Sequence, residues 1–159
     1  MINLVIFDLD GVLFDSKKYH FEALNLALNE VDEKYVISYE EHLKEFDGLP
    51  TNKKLELLTE KKGLEENKYE SIWKQKQKHT TELLGGIKKN EKIYNLITLL
   101  RKNKIKLACA SNSISQTVNM VLSKLEIIDF FDIIVSNEDV KNSKPHPEMY
   151  WKCMTNLSI

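Results

Sequence analysis

Residues 3–7, Asn3-Leu4-Val5-Ile6-Phe7, form a short apolar run that ends abruptly in Asp8-Leu9-Asp10-Gly11. A continuous apolar run of this length suits a strand buried on both faces, as in a parallel sheet. Residues 105–110 repeat the pattern and end in Ser111-Asn112-Ser113, and residues 131–135 repeat it and end in Ser136-Asn137-Glu138. Three strands with polar ends predict one arrangement, because open α/β sheets bind ligands beyond the carboxyl ends of their strands.

Between these strands the apolar spacing becomes helical. Residues 91–102 carry Ile93, Leu96, Ile97, Leu99 and Leu100, and residues 115–125 carry Val118, Val121, Leu122 and Leu125. A further helix is expected over 147–156. Alternating strands and helices predict an α/β core with right-handed crossovers. The first strand is followed differently. Residues 16–85 read as helices over 19–30, 38–46, 52–62 and 65–84, with Asp47-Gly48-Leu49-Pro50 breaking the second from the third. The expectation is a core of residues 1–15 and 86–159 with a helical cap, 16–85, inserted over the carboxyl end of the sheet. Gly85-Gly86 reads as a return hinge or as a plain loop.

The 159 residues suffice for one ordinary domain or a compact core with an inserted lobe. Lys plus Arg number 23 against 24 for Asp plus Glu, so no basic excess points to nucleic acid. The Lys74-Gln75-Lys76-Gln77-Lys78 stretch reads as a solvated helix face. Cys109 and Cys153 lie far apart and form no CxxC pair, so reduced thiols in a cytoplasmic setting are expected. The first apolar run is too short for a signal peptide or a membrane span, and no membrane partner is expected.

Asp8 and Asp10 are the chemically informative pair. Two carboxylates one residue apart at a strand end repel, and burying either without a partner is costly. A divalent cation removes that difficulty, and hard oxygen donors select magnesium. Gly11 then permits a tight turn as the chain leaves the sheet. The string Asp8-Leu9-Asp10-Gly11-Val12, the apolar strand ending in Ser111-Asn112-Ser113, and Ser143-Lys144-Pro145 follow one another in this order. On these three motifs the sequence resembles the haloacid dehalogenase superfamily of hydrolases over essentially its whole length.

The resemblance implies a Rossmann-like core and a set of roles. Asp8 would be the nucleophile that forms an aspartyl-phosphate, and Asp10 the general acid and then base. The second aspartate also separates the chain from true dehalogenases. The Asp8 carboxylate and the Asp10 carbonyl would hold Mg²⁺. Ser111 and the amide of Asn112 would bind phosphoryl oxygens, and Lys144 would supply a fixed positive charge. Read alone, Ser111 would be a helix cap and Lys144 a surface lysine; the other motifs reverse both readings.

The helical insertion resembles the cap of the phosphoglycolate phosphatase and β-phosphoglucomutase branch. There His20 follows the loop at the mutase's hinge spacing, and Gly48 and Thr51 fall where that branch contacts substrate. The mutase's basic residues around the cap glycine are missing. Asp47 precedes Gly48, and the only arginine, Arg101, lies on a core helix. Lys53 or Lys54 could compensate in part. The expected activity is therefore hydrolysis of a small phosphomonoester, such as a sugar phosphate. A phosphomutase is the alternative. A fourth, acidic motif expected after Lys144-Pro145 is absent, since the last acidic residue is Glu148. Weak magnesium binding, low activity and marginal stability are expected of the 159 residues alone, the core being incomplete at its C-terminal side. A truncated, inactive binding or partner-dependent protein is a further reading. The oligomeric state is not legible.

Overall fold

A computed structural model describes residues 2–159 of the chain. The chain divides into two compact units, Ser16–Leu84 and the remainder, which runs through Asp15 and resumes as Gly85–Ile159.

The second of these is built on a parallel sheet. Strand β1 (Leu4–Phe7) pairs with β2 (Lys106–Ala110), and β2 pairs with β3 (Ile133–Val135), giving the order β1-β2-β3. The central strand holds the core, with Leu107 to Ala110 essentially inaccessible to solvent. β1 is only half-buried along its length, because it pairs on one side alone among the described residues. That departs from a strand buried on both faces, and edge position is the reason. β3 starts two residues later than its apolar run. Asp132 instead turns its carboxylate onto the Leu107 amide (2.8 Å) and the Arg101 guanidinium (2.6 Å).

Helix α5 (Glu91–Lys102) covers β2 with Ile97, flanked by half-buried Ile93 and Leu100. Leu96 and Leu99 lie on the other side of the helix and are exposed. Helix α6 (Ser115–Lys124) buries Val118, Val121 and Leu122. Helix α7 (Glu148–Asn156) sets Met149 and Cys153, one turn apart, against Ala108, Ala110 and Val135. Both cysteines are free and buried, and burial pushes the Cys109 thiol up to about 12 and the Cys153 thiol to about 11. Neither is a nucleophile at neutral pH.

The helical unit comprises α1 (Lys17–Asn29), the single turn α2 (Tyr39–Glu41), α3 (Thr51–Lys62) and α4 (Tyr69–Leu84). α1 packs along α4, and Leu24, Leu28, Tyr35, Phe46, Leu55 and Leu58 share a separate apolar cluster. The Asn25 side chain clamps both backbone groups of Ile37, at 2.8 and 3.0 Å. One helix was expected over 38–46. The chain instead makes a Ser38–Glu41 capping box and then widens into a π-helical turn, His42–Phe46, closed by Asp47 N–H donating to His42 C=O at 2.8 Å. The wider turn keeps His42 and Phe46 both buried while Leu43 is exposed. Among the described residues, no helix is long and apolar enough to cross a membrane.

Candidate active site

The loop after β1 is shaped by alternation. Leu9 is fully buried, so its neighbours Asp8 and Asp10 are turned the other way and remain partly exposed. The chain then folds back on itself. The amides of Leu13 and Phe14 donate to Leu9 C=O at 3.0 Å, and Gly11 N–H donates to Phe14 C=O at 2.8 Å. Gly11 has φ +80°, a left-handed conformation that a side chain disfavours, although a Cβ there would meet nothing within 4 Å. The glycine is needed for its backbone angle, not for space.

Asp8 accepts two hydrogen bonds on one oxygen. Its Oδ1 takes the Leu9 amide at 2.8 Å and the Lys144 ammonium at 2.7 Å. Lys144 Nζ also donates to Ala110 C=O at 3.0 Å, and its side chain is only 13% exposed. The lysine is therefore fixed between the ends of β1 and β2. Asn112 holds it there from the backbone side. Its Nδ2 donates to Lys144 C=O at 3.0 Å, and Lys144 N–H donates to Asn112 Oδ1 at 2.9 Å. The Asn112 side chain thus grips the lysine loop, a contact that its sequence position does not reveal.

Asp10 is held by hydroxyls. Ser113 Oγ donates to its Oδ2 at 2.9 Å and Ser111 Oγ at 3.3 Å, while Ser113 N–H donates to Ser111 Oγ at 3.0 Å. Ser111 is completely buried. Ser113 was not among the residues expected at the site. Its signal lay in the alternation Ser111-Asn112-Ser113, which puts two hydroxyls on one side and an amide on the other.

Four other acids of this unit, Asp132, Glu138, Asp139 and Glu148, are engaged elsewhere. Asp132 binds Arg101, and Glu138 takes the Ser115 amide at 2.7 Å. Asp139 takes the Ser136 amide and hydroxyl, which hold its pKa below the usual carboxylate range. Glu148 takes the amides of Lys141 and Asn142, lowering its own pKa. Among the described residues no three His, Cys, Asp or Glu side chains group as metal ligands. Asp8 and the Asp10 carbonyl are the oxygen donors at the strand end that suit a hard cation.

His20, Gly48 and Thr51 belong to the helical unit. His20 lies on α1, Gly48 takes φ +74° in the loop before α3, and Thr51 opens α3. Asp47, beside Gly48, pairs with Lys17 at 2.7 Å, and that contact holds its carboxyl below the usual range.

Carboxylates at one strand end, hydroxyls at the next and a lysine clamped between them outline a hydrolase of the α/β class. The chain belongs to the haloacid dehalogenase-like hydrolases, whose sequence model matches residues 5–159. It is 31% identical over 159 residues to a phosphorylated carbohydrates phosphatase of Thermotoga maritima, covering 98% of this chain and 70% of the relative. It is 31% identical over 158 residues to the pyrophosphatase PpaX of Bacillus cereus, covering 96% of this chain and 68% of the relative. Among solved structures, β-phosphoglucomutase from Clostridium difficile superposes with a TM-score of 0.79 at 30% identity, covering all of this chain and 72% of that one. The names of all three concern phosphate chemistry.

Proposed function

We propose that the chain is a magnesium-dependent phosphatase that hydrolyses a small phosphomonoester, such as a sugar phosphate, through an aspartyl-phosphate on Asp8. The observation that carries this reading is the Asp8–Lys144 contact beside an Asp10 tied to two serine hydroxyls. Both contacts to Asp8 fall on Oδ1, which leaves Oδ2 to attack phosphorus. Asp10 gives a proton to the departing ester oxygen. It then takes one from the water that attacks the aspartyl-phosphate, releasing phosphate and restoring Asp8. Lys144 offsets the repulsion between the Asp8 carboxylate and an incoming phosphate, from a position that its carbonyl and amide contacts fix in advance. Ser111 and Ser113 orient Asp10, and the Ser111–Asn112 turn presents polar groups toward the same strand end.

Magnesium, held by the Asp8 carboxylate and the Asp10 carbonyl, would supply charge neutralisation between nucleophile and phosphate. The two buried thiols accord with a reducing cytoplasm. The relatives named for carbohydrate phosphates support the substrate class. The Lys17–Asp47 pair beside Gly48 disfavours a bisphosphate intermediate, so water rather than a sugar is the acceptor.

The test is phosphate release from p-nitrophenyl phosphate and a panel of sugar phosphates. Release that requires Mg²⁺ and is abolished by chelation is expected. With β-glucose 1-phosphate and a bisphosphate activator, free phosphate without glucose 6-phosphate is expected. Chelator-insensitive turnover would overturn the magnesium reading. No release at saturating Mg²⁺ would favour a binding protein instead.

A further inference from the structure

Glu148 opens helix α7, where an acid would ordinarily face the unpaired amides of its own first turn. Its carboxylate turns back instead across the preceding loop. Oε1 accepts the Lys141 amide at 2.8 Å, and Oε2 accepts the Asn142 amide at 3.0 Å and the Asn142 side-chain Nδ2 at 2.9 Å. The Glu148 N–H donates to His146 Nδ1 at 3.3 Å, so this one residue touches the loop on both sides of Lys144. Met149, next in the chain, is fully buried among Ala108, Ala110 and Val135 and fixes where the carboxylate starts.

Three N–H groups converge on these two oxygens, and a carboxylate accepts all of them without bringing a donor of its own. The result is a closed loop, residues 141–148, with Lys144 near its tip. There the Asn112 side chain holds both backbone groups of Lys144, at 2.9 and 3.0 Å. At the loop's entrance, Lys152 of α7 donates to Asp139 C=O at 2.6 Å. A lysine stem is long and flexible, so its ammonium is placed no better than the backbone that carries it. The Lys144 ammonium lies 2.7 Å from Asp8 and 3.0 Å from Ala110 C=O, and a shift of the loop would pass to both contacts.

We propose that Glu148 is a positioning residue for phosphoryl transfer: by closing the loop at its base, it holds the Lys144 ammonium against Asp8. This role rests on the phosphatase reading, in which Lys144 offsets charge at the reacting centre. It also gives the last acid of the chain a task other than binding metal, since both carboxylate oxygens are committed to the loop. The loop amides lower the pKa of Glu148, so it stays ionised across the neutral range.

The experiment is a double-mutant cycle on the full chain, with p-nitrophenyl phosphate as substrate. Glu148→Gln keeps the shape but sets an amide donor among the three N–H groups. It should lower kcat about tenfold, the cost of one charge-assisted hydrogen bond, and leave half-saturating Mg²⁺ unchanged. In a Lys144→Ala background the same substitution should change kcat by less than about twofold. An unaltered kcat, an equal loss in both backgrounds, or a raised Mg²⁺ requirement would overturn the role. Amide hydrogen exchange adds a readout that needs no turnover. The Lys144 amide should exchange about tenfold faster in Glu148→Gln, while the Leu107 amide in the central strand keeps its rate. Asn142→Asp, which sets a second carboxylate against Glu148, should speed Lys144 exchange in the same direction. An unchanged Lys144 rate in both variants would overturn the role even if phosphate is released. Faster exchange in a chain that releases no phosphate would sustain the hold on Lys144 and refute the phosphatase reading alone.

Discussion

The two polar clusters of this molecule are opposites in how their charges are balanced. At the strand ends, Asp8 has Lys144, Asp10 has two serine hydroxyls, and the lysine itself is anchored by a carbonyl and an amide clamp. In the helical unit, His42 is more deeply buried, yet neither ring nitrogen has a hydrogen-bond partner among the described residues, and Lys54 is buried with the Asp47 carboxylate acting on it. In the first cluster each of these charged groups has a partner within the protein. The second keeps a buried imidazole without a hydrogen-bond partner. Completed networks hold reactive groups in a fixed geometry, whereas an unpartnered buried polar group costs stability.

The sharpest way to break the first cluster is to remove its nucleophile. Asp8→Asn keeps the shape and abolishes the charge, and phosphatase activity should fall by about 10³-fold or more in a steady-state assay. Lys144→Ala removes the counter-charge, with an expected loss of about 10²–10³-fold in kcat. Ser113→Ala takes one hydroxyl from Asp10 and should cost about tenfold in kcat, the magnitude of a single hydrogen bond to a charged group. An unchanged kcat in Ser113→Ala would leave Ser111 as the sole orienting hydroxyl.

The second cluster is probed through stability. Burial holds the His42 imidazole below its ordinary pKa of 6.5, with Lys54 acting in the same direction. The unfolded chain therefore binds a proton more readily than the folded one as pH falls below about 6.5. Stability should decline across that window, visible as a lower urea midpoint at about pH 5.5 than at about pH 7. His42→Phe should flatten that part of the profile. The Lys17-held Asp47 carboxylate adds a separate loss below its ordinary value of 3.8, which His42→Phe leaves in place.

The sequence pointed to which residues would meet better than to how they are held. Asp8, Asp10 and Ser111 stand out because they follow the ends of apolar runs, which a parallel sheet brings together, whereas Lys144 stands out only through the motif that carries the resemblance. The helix at Glu91–Lys102 was legible to the residue, because its apolar stripe is strong and Asn90 caps it. Ser113 and the Asn112 clamp were not legible, since their partners lie 103 and 32 residues away in sequence. The π-helical turn at His42–Phe46 escaped for a different reason. Local propensity reads 38–46 as an ordinary helix, and only packing makes both His42 and Phe46 face inward. The buried state of Lys54 was equally hidden, because a lysine in a helix first turn ordinarily reaches solvent.

The proposed reaction turns on a covalent bond between Asp8 and phosphorus, and such a bond can be read directly. Protein turning over p-nitrophenyl phosphate with Mg²⁺ is quenched and treated with borohydride, which reduces an aspartyl-phosphate to homoserine, and the peptide containing residue 8 is analysed by mass spectrometry. Homoserine at Asp8, absent without substrate, is the predicted result. Phosphate release with Asp8 still an intact aspartate, or a label on another residue, would contradict it.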